Sequence, residues 1–125
     1  GQAMQRAAIA AGKSEQIVAR ALTMPHRAPL VIIVVATPRP DKNVPEFDQV
    51  LCAASTVLMM QLAARAQGYG GIWRSGWMMA DRGFHHELGL GEREQMVGLL
   101  YLGTPASDED ALPSLADPFD ALSWI

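Results

Sequence analysis

The chain has one cysteine, Cys52, so no disulfide can form within it. A lone thiol fits a reducing compartment, and the expected location is cytoplasmic. Basic residues are few and scattered. Ten Lys and Arg against thirteen Asp and Glu leave a formal net charge of -3, which argues against a surface that tracks nucleic-acid phosphates. Long apolar runs are missing as well. The longest, Leu30 to Ala36, falls far short of the roughly 18 residues a spanning helix requires, and no basic-then-apolar leader opens the chain. Neither a membrane partner nor export is expected. Metal-ligand spacing is absent too: His85 and His86 point about 100° apart on a helix with no third ligand in register, and read as a solvated helix face. Ser55 and Ser75 have no local base, and the apolar flanks of Cys52 mark it as an inert core thiol. No catalytic residue and no metal site is therefore expected.

What the chain does have is 125 residues, half of them apolar, enough for one modest core and one domain, residues 1–125. Residues 2–22 are rich in Ala and straight side chains interrupted by Gly12 and Ser14, and read as two short helices or one broken one. They start in mid-pattern, as if inside something longer. The β-branched run Leu30–Ala36, stopped by Pro38 and Pro40, predicts a central strand covered on both faces. Residues 38–45, with three prolines, form a surface loop of the kind that borders sites. Asn43 and Glu46 resemble a capping box for a helix of about six turns ending before Gly68. Between Val50 and Ala64 only Ser55, Thr56 and Gln61 are distinctly polar, so this helix needs cover on most sides, which suggests a partner subunit. Residues 69–76 read as a short strand between glycines. Asp81 can cap a helix ending at Gly89, and Gln95–Gly103 forms a last strand closed by Thr104 and Pro105. Residues 106–125 are expected to be an extended tail, docked through Phe119, Leu122, Trp124 and Ile125.

The Gly68, Gly70, Gly71 cluster superficially resembles a dinucleotide fingerprint. That motif needs strand, glycine turn, then helix, with a third glycine where Trp73 stands. Here the order is helix, glycines, strand, so a helix C-cap is the simpler reading. Ile72 to Gly76 combine a flat aromatic, a cation and accessible backbone amides, a set suited to a planar anionic cofactor. A structural Trp73 and a surface Arg74 fit the composition equally well.

Four stretches together resemble the FMN-dependent nitroreductase family, in particular its smallest bacterial members. They are Arg27-Ala-Pro-Leu, Ala63-Ala-Arg-Ala-Gln-Gly68, Gly70-Gly-Ile-Trp-Arg-Ser-Gly76 and Val97-Gly-Leu-Leu-Tyr-Leu-Gly-Thr-Pro105. The resemblance implies an α+β fold with a mixed or antiparallel sheet flanked by helices, in an intertwined homodimer with the long helix at the interface. It implies FMN bound beside Trp73, Arg74 and Ser75. It also implies NAD(P)H as electron donor, met by Ala63, Ala64, Arg65, Ala66, Gln67 and Gly68. The activity implied is ping-pong two-electron reduction of nitroaromatics, quinones or similar small-molecule acceptors, in which the flavin performs the hard step. The family's N-terminal helix, whose Arg-x-Ser or Arg-Arg-Ser segment grips the FMN phosphate, has no match here. About fifty residues are expected to be missing, and each lost charge-assisted contact is worth about 1.5–3 kcal/mol. The other readings are a degenerate flavin-fold scaffold without turnover and a flavin-dependent dehydrogenase or desaturase.

Overall fold

The computed structural model describes residues 1–106, so the docking of the tail lies outside the described residues. Helix α1 (Gln2–Ala10) and helix α2 (Glu15–Thr23) are separate, and Gly12 turns the chain between them at φ +62°. A 3-10 turn, Met24–Arg27, leads into strand β1 (Leu30–Ala36). Helix α3 (Glu46–Ala66), strand β2 (Gly70–Arg74), helix α4 (Arg82–Glu87) and strand β3 (Gln95–Gly103) complete the order. The three strands form an antiparallel sheet in the order β1-β3-β2. Helices with an antiparallel sheet make the α+β class expected.

The register decides which side chains share a face. Val31 pairs with Tyr101 and Ile33 with Leu99, while Ile32 pairs with Leu100 and Val34 with Gly98. Val35 then pairs with Met96, so Val97 is an extra residue in β3. This bulge shifts the alternation by one, letting Met96 join Leu99 and Tyr101 on one face. There they pack with Met4, Ala7 and Ala8 of α1, Ala21 of α2, Met78, and Phe84 of α4. The opposite face carries α3, whose Val57 is fully buried.

Four expectations are corrected. Among the described residues β1 is an edge strand rather than a central one: β3 takes the middle, and Leu30 and Ile33 stay exposed. The capping box does not form. Pro45 precedes the first turn of α3, and Asp41 instead accepts from the backbone of Asn43 at 2.7 Å and of Val44 at 3.1 Å. Cys52 is exposed on α3 rather than in the core. His85 is fully buried rather than solvated, because Arg82 and the Met78 carbonyl receive its ring at 2.9 and 3.1 Å. A guanidinium can only donate, so Nδ1 accepts from Arg82 and Nε2–H donates to Met78.

α3 answers its sequence pattern differently from a core helix. It is 21 residues of apolar character without a preferred side, yet only Val57 and Ala64 are buried. Phe47 is 69% and Met59 64% exposed, with Leu51, Leu58 and Leu62 also open. By length and composition it could cross a membrane, although no single apolar run in the chain would. Two glutamines hold it in place. Gln49 bonds to both Arg39 backbone groups at 2.9 Å, and Gln61 donates to the Gly71 carbonyl at 3.0 Å.

Trp73 lies across Gly98 so closely that a Cβ at Gly98 would sit 2.1 Å from its Nε1. Gly98→Ala should therefore destabilise the fold by about 1–3 kcal/mol, read from urea denaturation; an unchanged midpoint would mean the indole moves aside freely. A second contact ties α1 to α4. Arg6 donates to Glu87 through Nε at 3.0 Å and Nη2 at 2.5 Å, and this bond holds the Glu87 carboxyl below its ordinary range. The pair's contribution is thus complete above the unfolded carboxylate value and lost as pH falls through the lower folded one. Glu87→Gln should flatten the acid limb of stability against pH, and an identical limb would show the pair to be without effect.

Candidate functional site

β2 divides its side chains between the two faces of the sheet. Ile72 and Arg74 stand opposite Tyr101 and Leu99 of β3 and share their face. Gly71 and Trp73 point the other way, toward α3. At the end of the strand the backbone turns through Gly76 at φ +152°, a conformation that L side chains rarely adopt. A Cβ there would also crowd Met78 Sδ at 3.2 Å.

On the Arg74 face a cleft of about 620 Å³ opens between α2, the 3-10 turn after it, and the ends of β2 and β3. That volume lies within the range typical of small-molecule and cofactor sites, roughly 300–1,000 Å³. Three arginines line it, Arg20 from α2, Arg27 from the turn and Arg74 from β2, and no Asp or Glu does. None of the three has a carboxylate partner among the described residues. Their charges are permanent, so among the described residues the cleft is positive.

Tyr101 also lines this cleft and is only 5% exposed. Its hydroxyl is buried without a hydrogen-bond partner among the described residues, a costly state that a ligand can relieve. Burial raises the pKa of this hydroxyl, while the charges of Arg27 and Arg74 pull in the opposite direction. It remains a protonated donor at neutral pH.

Of the residues expected near a flavin, Arg74 and Ser75 line the cleft, whereas the Trp73 side chain lies on the opposite face across Gly98. Of those expected to meet a nicotinamide nucleotide, Ala63, Ala64 and Gln67 line a second cleft of about 560 Å³ on the α3 side, beside Tyr69. Arg65, Ala66 and Gly68 are not on its walls. Gly68, at φ +84°, closes α3, with its N–H bonded to the Arg65 carbonyl at 2.9 Å and the Tyr69 N–H to Ala64 at 3.0 Å. Arg20, Arg27 and Tyr101 were not among the expected site residues. Arg27 and Tyr101 stand in family-like stretches that imply no role for them, and Arg20 sits in a helix that reads as scaffold.

The sequence profile described as Nitroreductase family matches residues 2–104. The chain belongs to the nitroreductase family. Over 122 residues it is 40% identical to an Escherichia coli (strain K12) protein named "Putative NAD(P)H nitroreductase YdjA", covering 98% of this chain and 67% of that one. A Haemophilus influenzae protein named "Putative NAD(P)H nitroreductase" is 30% identical over 112 residues, 89% of this chain and 61% of the relative. The chain thus spans about two thirds of the length of these relatives. The crystal structure of a nitroreductase-like family protein from Bacillus cereus superposes with a TM-score of 0.76 at 19% identity, covering 99% of this chain and 67% of that one. That likeness concerns the fold alone.

Membership makes this nitroreductase an oxidoreductase of a family that works with flavin and NAD(P)H. Its own residues fit a flavin. The cleft has the volume, its unpaired cations suit a phosphate or the charge of a reduced ring, and the bare backbone at Gly76 permits close approach. The unpartnered Tyr101 hydroxyl adds a donor. Because that hydroxyl has no partner to lose among the described residues, Tyr101→Phe should leave stability unchanged or raise it by about 1 kcal/mol. A clear drop in the melting temperature would reveal a partner for it.

Proposed function

We propose that this chain is an FMN-dependent subunit that oxidises NAD(P)H and reduces nitroaromatics, quinones or similar acceptors, and that it works as a cytoplasmic homodimer. The observation that carries this reading is the positive cleft at Arg74, Ser75 and Gly76, in a chain of the nitroreductase family. When bound, FMN supplies the two-electron chemistry, first toward the nicotinamide nucleotide and then toward the acceptor in a ping-pong order.

The chain's own residues do the holding. Arg74 and Ser75 border the ring, and the positive charge of Arg74 favours the anionic, reduced form. Arg20 and Arg27 line the same cleft from α2 and the turn after it, where they attract anionic groups. Ile17, Met24 and Ile72 give the cleft apolar surface that a flat ring can cover. No side chain among these is required as a proton donor or acceptor. The Ala63–Gly68 stretch is the proposed contact for the nicotinamide nucleotide, in keeping with Ala63, Ala64 and Gln67 on the second cleft.

The homodimer rests on α3. Five large apolar side chains, Phe47, Leu51, Leu58, Met59 and Leu62, are exposed on it, and each is worth about 1.5–3 kcal/mol when removed from water. A second copy of this helix offers matching apolar surface, and Cys52, exposed on α3, would be covered with it.

Purified chain incubated with FMN should take on a yellow flavin spectrum that bleaches with NAD(P)H, and should elute at twice its monomer mass without detergent. Arg74→Ala should weaken flavin binding by about tenfold or more. Protein that stays colourless with FMN would favour the scaffold reading instead.

A further inference from the structure

Arg27, Arg74 and Tyr101 form a group that flavin binding at Ser75 and Gly76 does not account for in full. All three line the one cleft, Arg74 and Tyr101 from the same face of the sheet, and the charges of both arginines act on the Tyr101 hydroxyl. All are donors: two guanidinium groups that cannot accept, and a buried hydroxyl with no partner among the described residues. No carboxylate lines the cleft or pairs with either arginine among the described residues. Three donors in one cleft with net positive charge are complementary to a planar group with two acceptor oxygens and one negative charge. Arg74 is adjacent in the chain to Ser75, so this group stands at the ring-bordering end of the cleft, where an acceptor must come to be reduced.

We propose that Arg27, Arg74 and the Tyr101 hydroxyl bind the carboxylate of an acidic electron acceptor, so that carboxylate-bearing nitroaromatics and quinones are preferred over their neutral analogues. The inference rests on the proposed function for the identity of the reaction, but the anion site itself does not depend on it. A carboxylate would supply the missing partner of the tyrosine and the missing counter-charge of the arginines together. A neutral analogue leaves both charges uncompensated as the cleft is covered.

The test is calorimetric binding of 4-nitrobenzoate and of neutral 4-nitrobenzyl alcohol to the full chain, with and without FMN, alongside a separate titration of FMN. The benzoate should bind at least about tenfold tighter than the alcohol. Tyr101→Phe and Arg27→Gln, each confirmed as folded by thermal melting, should each weaken the benzoate by about tenfold while shifting the alcohol by less than about twofold. Equal affinity for the two probes overturns the proposal. So does a Tyr101→Phe variant that loses FMN and keeps the benzoate, because the hydroxyl then belongs to the flavin phosphate. Chain that takes up no FMN yet discriminates between the probes upholds the anion site and removes the proposed function; chain that binds FMN without discriminating does the reverse.

Discussion

Strand β3 is hydrogen-bonded along both edges and buried on both faces, and the rest of the described chain is arranged around that fact. Backbone groups so far from water need partners, which β1 and β2 supply from either side. Its side chains divide between two helical layers. The extra residue at Val97 brings Met96 round to the face of Leu99 and Tyr101, where α1, α2 and α4 close over them. Gly98 on the other face leaves room for an indole, and Trp73 fills it. The division that builds the core therefore also separates Trp73 from Arg74, although they are neighbours in the chain.

The cleft is a by-product of the same arrangement. The end of β3 lies beside the start of β2, and the turn from α2 into β1 lines the same opening, so Arg20, Arg27 and Arg74 come to one cleft from three parts of the chain. At the exposed rim the arginines stay hydrated and cost the fold little. The Tyr101 hydroxyl differs, being buried and unpartnered, and such a group persists in a core when something other than the core uses it. Stability and binding thus meet in one residue, which belongs to the core cluster and also lines the cleft.

α3 places a different demand on the molecule. A helix that is apolar all round cannot be satisfied by one face of a three-stranded sheet, and most of its large side chains remain uncovered. Val57 and Ala64 pack it on the sheet, and Gln61 and Gln49 add polar ties to β2 and to the proline loop, which set its position without burying most of it. The exposure is consistent with the dimer proposed above, in which the helix would complete a core between two copies.

The sequence by itself determined the elements whose signals are local. The apolar run closed by Thr104 and Pro105 marks β3 to the residue, Asp81 accepts from the Phe84 N–H at 2.7 Å as a helix cap should, and α3 ends before Gly68 as its pattern implies. The four family-like stretches carried the fold class. Tertiary structure alone decided the rest. Leu30–Ala36 has the composition of a central strand, yet strand order, which no local propensity encodes, put it at the edge. His85 looks solvated until Arg82 and Met78 converge on it, and Cys52 looks buried until α3 proves uncovered. Arg20, Arg27, Arg74 and Tyr101 span most of the chain and form one cleft only because the sheet and the turn after α2 bring them together. Propensity, capping and turn chemistry act between residues a few positions apart. The electrostatics of a site depends on groups that become neighbours only after the chain has folded.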